Sequence, residues 1–384
     1  MTRITEPWLT EPATQAVCAA LERDGAQVLF VGGCVRNALL GVAVSDIDIA
    51  TDATPDTVIA LAKAAGIKVI PTGVDHGTVT LVRDGVAHEV TTFRRDVATD
   101  GRHATVSFSS DVAEDAARRD FTMNALYARP DGTVIDPLDG LPDLAARRVR
   151  FIGEARDRIR EDYLRSLRYF RFHAWYGDQS KGFDPEAMAA IAANLDGLAR
   201  LSHERVGGEM LKLLAAPDPS PALAAMRSTG ALGQLLPGAD DRALAPLVHV
   251  EGQAAMSPDP LRRLAVLGGV DVAEALRLSR AQDRRLTAIR EAASGSAGPE
   301  ELGYRLGATD GRDAMLLRLA LSGQGWDTAL ADRIGTGARA VFPIAARDLV
   351  PGFSGAELGA ELARLEKLWI DSGFTLGRDA LLGS

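Results

Sequence analysis

The stretch FVGGCVRNALLGVAVSDIDIATDATPD, Phe30 to Asp56, sets the problem. A glycine pair and an arginine are followed by two aspartates that alternate with isoleucines. On a strand, residues two apart project from the same face, so Asp46 and Asp48 point together while Ile47 and Ile49 face the core. Adjacent carboxylates repel each other, and the arrangement becomes favourable when divalent cations sit between them. Mg2+, which takes oxygen ligands and keeps waters, is the ion expected. Two such ions would activate an attacking hydroxyl and stabilise a departing pyrophosphate.

DxD alone also fits an exposed strand with alternating charges, or a sugar-nucleotide transferase. The upstream residues narrow it. Gly32 and Gly33, after a buried strand and before a helix, let the backbone approach a ligand, and the helix N-terminus offers amide donors to phosphate. Arg36, in the first turn, adds a forked cation suited to phosphate oxygens. Together these residues read as a triphosphate and metal site. Glu89, in AHEVTTF on a neighbouring strand, is the candidate third carboxylate that takes the proton of the attacking hydroxyl. A charged residue on an exposed strand face is the alternative reading of Glu89.

At 384 residues the chain exceeds one ordinary core, so two or more domains are expected. It has no apolar run long enough to cross a bilayer and no start resembling a signal peptide, so the cytoplasm is the default compartment. Its two cysteines, Cys18 and Cys34, form no CxxC or Cys/His cluster, which argues against a disulfide framework or structural zinc. Cys34 reads as a buried, inert thiol. The net charge of -9 excludes indiscriminate coating of nucleic acid but allows a local basic face. Arginines do concentrate in Ala145 to Phe172.

From Gln27 to about Pro137 short strands alternate with turns. GTVTLV and AHEVTTF flank Arg83-Asp84-Gly85 as a hairpin, and ALYA and TVIDP flank Pro130-Asp131-Gly132. Helices are expected over Val35 to Leu40, Pro55 to Ala65 with Thr54 as cap, and Asp115 to Asn124. RRDVATDGRHATVSFSSD, Arg94 to Asp111, reads as a polar loop. Beyond Leu141 strand signals stop and Ala, Leu and Arg recur at helical spacing. The fold class is α+β: a head with a mixed or mostly antiparallel sheet, then an all-helical remainder. The boundaries expected are 1–145 for the head, 146–215 for a helical neck and 216–384 for a helical body and tail.

Two further clusters carry chemistry. RRDFTMNALY, Arg118 to Tyr127, puts Arg119 within reach of a triphosphate, with Asp120 and Asn124, four apart, placed for ribose hydroxyls. A surface ion pair with a helix-terminal asparagine is the alternative. In EDYLRSLRYFRF, Glu161 to Phe172, helical spacing puts Leu164, Leu167 and Arg171 on one face and Asp162, Arg165 and Tyr169 on another. An ordinary Asp162–Arg165 ion pair would contribute roughly 0.2–0.5 kcal/mol. The functional reading is complementarity to a base: a carboxylate accepts from the amino group of cytosine or adenine while an arginine donates to the adjacent ring nitrogen. Guanine and uracil reverse that pattern, so such a pair selects C and A without a template.

GGCVRNALLG with DID, RRDFTMNAL, and EDYLRSLRYFRF followed by HERVGGEMLKLL resemble, in order, the motifs of the class II tRNA nucleotidyltransferases, the CCA-adding enzymes of the polymerase beta-like superfamily. The resemblance covers about the first 215 residues. It implies that Asp46 and Asp48 bind magnesium, that Gly33, Arg36 and Arg119 contact the triphosphate, and that Asp162 and Arg165 select the base, with Arg168 and Arg171 also lining the nucleotide site. It implies CTP and ATP as substrates, tRNA as partner, and a helical C-terminal part that grips the tRNA; no obligatory protein partner is expected. One departure stands out: the family usually reads VRD where this chain has Val35-Arg36-Asn37. No His-Asp dyad of an appended phosphohydrolase domain is present. The alternatives are a bacterial poly(A) polymerase, a relative adding only CC or only A, a non-catalytic RNA-binding protein with a decayed head, and a nucleotidyltransferase acting on small molecules.

Overall fold

A computed structural model describes residues 2–100, 103–350 and 352–384. The chain divides into two compact units, Met1–Leu201 with Ser228–Gln234, and Ser202–Arg227 with Leu235–Ser384.

The first unit opens with helix α1, Pro12–Leu21, and then β1, Val28–Val31, buried along its whole length. A turn at Gly32 leads into α2, Gly33–Leu40, which ends at Gly41 in the left-handed conformation. β2, Ile47–Thr51, follows, and then α3, Pro55–Ala64, whose Thr54 cap accepts from the Thr57 amide. β3, Lys68–Gly73, β4, Thr78–Arg83, and β5, Val86–Thr92, complete the near side of the sheet. β4 and β5 are joined by Asp84 and Gly85, both at positive φ, as a tight twisted hairpin requires. β8, Tyr127–Ala128, and β9, Val134–Ile135, close the far side. The strand order is β3-β4-β5-β2-β1-β8-β9, with β2 and β5 parallel and every other pair antiparallel. The sheet is therefore mixed, as expected.

Two local expectations change. Arg94 to Asp111 is not a plain loop: β6, Arg94–Asp100, pairs with β7, His103–Phe108, in a separate two-stranded ribbon, and positions 101–102 of the expected loop lie outside the described residues. Its two threonines and two valines, read from sequence alone, favour a strand even though the stretch is polar. The helix expected over Asp115 to Asn124 is two pieces, α4, Val112–Ala117, and a single 3-10 turn, Thr122–Asn124. Phe121 between them is extended and buried, and its anchoring among Phe151 and Phe172 outweighs helical propensity.

After α5, Gly140–Ala145, come α6, Ala155–Glu161, α7, Leu164–Tyr176, and α8, Pro185–Ala192. α7 carries the aromatic core: Tyr169 stacks on Phe151 with centroids 5.5 Å apart, and Phe172 lies 4.9 Å from Phe121. The second unit is helical, including His203–Leu214, Pro260–Leu267, Arg280–Ser294 and Pro299–Ser322. Among the described residues no helix is long and apolar enough to cross a membrane.

Candidate active site

Gly32 is where the site begins. Its φ of 69° suits glycine, and a side chain there would come within 3.6 Å of the Arg119 guanidinium and 3.5 Å of the Asn124 amide oxygen. The β1–α2 turn thus lies directly beneath two of the residues expected at the site. The turn is pinned by the Gly32 amide donating to Leu126 at 3.1 Å and the Arg36 amide donating to Gly32 at 2.9 Å.

Asp46 immediately precedes β2, and Asp48 sits within it between buried Ile47 and Ile49. The parallel pairing of β2 with β5 puts Glu89 in register with Asp48, so their side chains share a face. Ser45 donates to Asp46 at 2.8 Å. Burial, then the charge of Glu89, pushes the Asp48 carboxyl up to about 6, with Asp46 adding to the rise and Arg119 and Arg36 opposing it. Among the described residues no three His, Cys, Asp or Glu side chains close into a preformed metal cage. The carboxylates of Asp46 and Asp48 are nevertheless an all-oxygen donor set that fits a hard divalent cation. Cys34 is fully buried and its thiol is pushed up to about 11, mainly by burial, so it stays an inert packing residue.

Arg36 is buried beneath α7. Its guanidinium donates to Asn37 at 2.9 Å, to Asn124 at 2.8 Å and to the Tyr176 hydroxyl at 2.9 Å, and it stacks over the Tyr176 ring at 4.0 Å. Burial holds its pKa below the ordinary value. All of these partners are neutral. Asn37, at the position where the family pattern has aspartate, thus keeps the hydrogen bonds and drops the charge, while its own amide donates to Ala43 at 3.0 Å.

Arg119 is oriented by Asp115 at 3.0 Å and by the Tyr127 hydroxyl at 3.1 Å. Burial opposes its charge, but Tyr127 and Asp115 outweigh burial and hold the group firmly protonated. Burial would raise the Asp115 carboxyl, yet Arg119 and Arg118 bring it below the usual range. Asp120 accepts from Arg168 at 2.7 Å and from Asn124 at 3.1 Å. Asp120 and Asn124, expected on one helix face, bond directly to each other although the helix is broken. Burial works against the Asp120 charge, and Arg168 overcomes it, lowering the pKa.

The face expected for Asp162, Arg165 and Tyr169 needs correction. Asp162 ends α6 in an extended conformation and accepts from the Leu164 amide at 3.1 Å, so it lies outside α7. Tyr169 is fully buried. Arg165 pairs with Glu161 at 2.7 Å and donates to the carbonyls of Arg158 at 3.1 Å and Arg118 at 3.0 Å. Arg171 lies over the Phe172 ring at 4.7 Å and its charge acts on Arg36.

Hydrogen bonds therefore link Arg36, Asn124, Asp120 and Arg168 in one chain, Gly32 and Gly33 lie close beside Arg119, Asn124 and Arg36, and Asp48 and Glu89 stand on adjoining strands with Asp46 just before the first of them. Sequence reasoning missed Asp115, Tyr127, Glu161 and Tyr176. Asp115 and Glu161 were findable, standing three or four residues before Arg118, Arg119 and Arg165. Tyr176 carries no local signal.

Residues 28–150 match the family described as the Poly A polymerase head domain, and residues 182–242 match the probable RNA and SrmB-binding site of polymerase A. The chain is 35% identical to the mitochondrial CCA tRNA nucleotidyltransferase 1 of Mus musculus over 378 residues, covering 94% of this chain and 86% of that protein. With the Homo sapiens counterpart it shares 46% identity over 193 residues, half of this chain and 44% of that protein. Its fold is similar to a Bacillus stearothermophilus CCA-adding enzyme crystallised with CTP, with a TM-score of 0.72, 29% identity and 94% of each chain covered. The chain belongs to the CCA tRNA nucleotidyltransferase family.

Proposed function

We infer that this chain extends the 3′ end of tRNA by C, C and A, taking CTP and ATP and releasing pyrophosphate without a template. The observation that carries this reading is that Asp48, its pKa raised by burial and by Glu89, stands with Asp46 and Glu89 close to a glycine turn lined by Arg36, Arg119 and Asn124. Enzymes of this family generally depend on a divalent metal. Asp46 and Asp48 would hold it, and Mg2+, the ion proposed, supplies Lewis-acid stabilisation of the phosphates and acidifies the attacking hydroxyl.

The remaining work falls to the chain's own side chains. Gly32 and Gly33 admit the triphosphate to the amides of α2, and Arg36 and Arg119 neutralise its oxygens. Asp120 and Asn124 orient the ribose. Glu89, in register with Asp48, accepts the proton of the tRNA hydroxyl as it attacks the α-phosphate. Arg165 has five N–H donors, and its three bonds to Glu161, Arg158 and Arg118 fix its plane while leaving donors for a ring nitrogen. Asp162 takes the exocyclic amino group, and Arg168 and Arg171 line the same site. In this scheme residues 1–145 perform the chemistry, 146–215 select the base and 216–384 hold the tRNA.

The test is incorporation of labelled CTP, ATP, UTP and GTP, alone and combined, onto tRNA lacking its 3′ CCA, resolved to single nucleotides. Two additions from CTP alone and a final A only with ATP are expected. A long ladder from ATP alone would move the assignment to a poly(A) polymerase.

A further inference from the structure

Tyr169 and His173, one turn apart on α7, line a cavity of about 570 Å3 whose other walls include Phe183, Arg147, Arg148 and Lys181. None of these six residues belongs to the active-site cluster. The floor is flat and neutral. His173 stacks on Phe183 with centroids 3.8 Å apart and planes 22° apart. Its Nε2 lies 2.8 Å from the Gly182 carbonyl oxygen, which can only accept, so Nε2 carries the proton. Burial holds the imidazole below its ordinary pKa, which leaves the ring uncharged at neutral pH. The Tyr169 hydroxyl is fixed by the Asp184 amide, which donates to it at 2.9 Å.

The rim, by contrast, is cationic and exposed. Arg148 is committed to Asp143 at 2.7 Å, and Lys181 to Asp178 at 3.2 Å. The Asp184 carboxylate accepts from the amides of Glu186 at 2.8 Å and Ala187 at 3.2 Å, capping α8. Arg147 makes no side-chain hydrogen bond or ion pair among the described residues. Its backbone is nonetheless fixed: φ is 51°, its carbonyl accepts from Asp178 at 2.8 Å, and the next amide donates to Asp143 at 2.8 Å.

We propose that this cavity is a second nucleotide-binding subsite, in which a flat base lies against the Phe183–His173 stack and the attached phosphate rests on Arg147. The volume falls within the roughly 300–1,000 Å3 of small-ligand sites. Stacking on aromatic faces is indifferent to base identity, and an uncommitted guanidinium at the rim matches a phosphate. A nucleotide can reach it from two sources, a residue of the tRNA or a free nucleotide. The RNA source is favoured because the match to the RNA-binding family begins at residue 182, in the cavity wall.

The test uses the full chain, tRNA lacking CCA, and Arg147→Glu. Affinity for tRNA is expected to fall about tenfold near 0.1 M salt, and the slope of log affinity against log salt to fall by about one. The incorporation rate at saturating tRNA and the KM for CTP stay unchanged, which separates failure of the subsite from failure of the tRNA reading on which it rests. Phe183→Leu, which keeps apolar bulk and removes the flat ring, is expected to weaken tRNA several-fold without changing the salt slope. Arg156→Glu, an exposed arginine outside the cavity, changes neither; an equal loss there would assign the effect to net charge and overturn the proposal. Unchanged tRNA binding in Arg147→Glu, with bound AMP in equilibrium dialysis falling from two molecules per chain to one, would identify the free nucleotide as the occupant. No change in either binding measurement overturns the subsite.

Discussion

In the helical unit, Arg262 and Arg263 are 2% and 1% exposed, and their charges are met by carboxylates. Arg262 bonds to Glu251 and Asp313, each at 2.7 Å; Arg263 takes the other oxygen of Glu251 at 2.8 Å and the carbonyls of Leu214 and Pro217. Arg285 bridges Asp259, Asp310 and Asp313. In the head, Arg36 is 5% exposed and bonds only to amides, a hydroxyl and aromatic rings, while Asp48 stands beside Glu89 and Asp46 and is only partly countered by Arg119 and Arg36. The chemistry is the same and the saturation is opposite. A buried charge matched inside the protein fixes helices in place; one left unmatched can be completed only by something that binds.

The comparison breaks first at Asp46. Asp46→Ala removes one of the two carboxylates, and is expected to lower single-nucleotide incorporation at least about a thousandfold, the scale of several kcal/mol of transition-state stabilisation. Affinity for tRNA, measured by filter binding, should stay within about twofold. A variant that kept its rate would show that the unmatched carboxylates are a surface accident.

Asp313→Ala tests the saturated cluster. It strands Arg262 without one carboxylate in a fully buried place, and such losses cost about 3–5 kcal/mol. Denaturant unfolding should register that cost, while incorporation per folded molecule at low temperature stays near that of the unaltered chain. Lost activity without lost stability would reverse the roles assigned to the two clusters.

The contrast also explains what could be read in advance. Alternation in DIDIA, the Asp84-Gly85 turn and the Thr54 cap are decided by neighbours in sequence, and each is found where expected. Phe121 is different: its environment comes from Phe151 and Phe172 on other segments, and that long-range packing breaks the helix expected there. For the same reason Tyr169, placed by helical spacing on a face with Asp162 and Arg165, is buried against Phe151. At the site, Gly32, Arg119 and Asn124 could be named from motifs, but the Tyr176–Arg36 bond joins residues 140 positions apart and leaves no local trace. Legibility ends where the sequence separation of partners exceeds what periodicity records.

Arg165 lies between the two extremes, matched by Glu161 yet only partly saturated in donors. Arg165→Ala is expected to reduce discrimination against UTP and GTP by about ten- to hundredfold, the range converted from the roughly 1–3 kcal/mol of a bidentate contact to a base edge. Competition between labelled CTP and UTP on the same tRNA reads it directly. Unchanged selection would leave Arg165 as a structural link between Glu161 and the Arg118 carbonyl.

The smallest effect sharpens the comparison most, because it reads the unmatched charge without any substrate. Asp48 takes its proton near pH 6 in the folded chain, and near 3.8 when its surroundings no longer perturb it. Between those values the folded state binds more protons than the unfolded one, so this group's contribution to stability grows as pH falls from about 6 and is complete below about 4. At pH 7, in chelator, ionised Asp48 destabilises the fold, and Asp48→Asn should raise Tm by about 2–4 °C, the scale of 1 kcal/mol in a unit of this size. At pH 4 the two proteins should melt together. Added Mg2+ should erase or invert the difference at pH 7, because only the aspartate gains stability from a bound cation. A Tm gain that ignored both pH and Mg2+ would place the effect in packing, and Asp48 would then be as internally satisfied as Asp313.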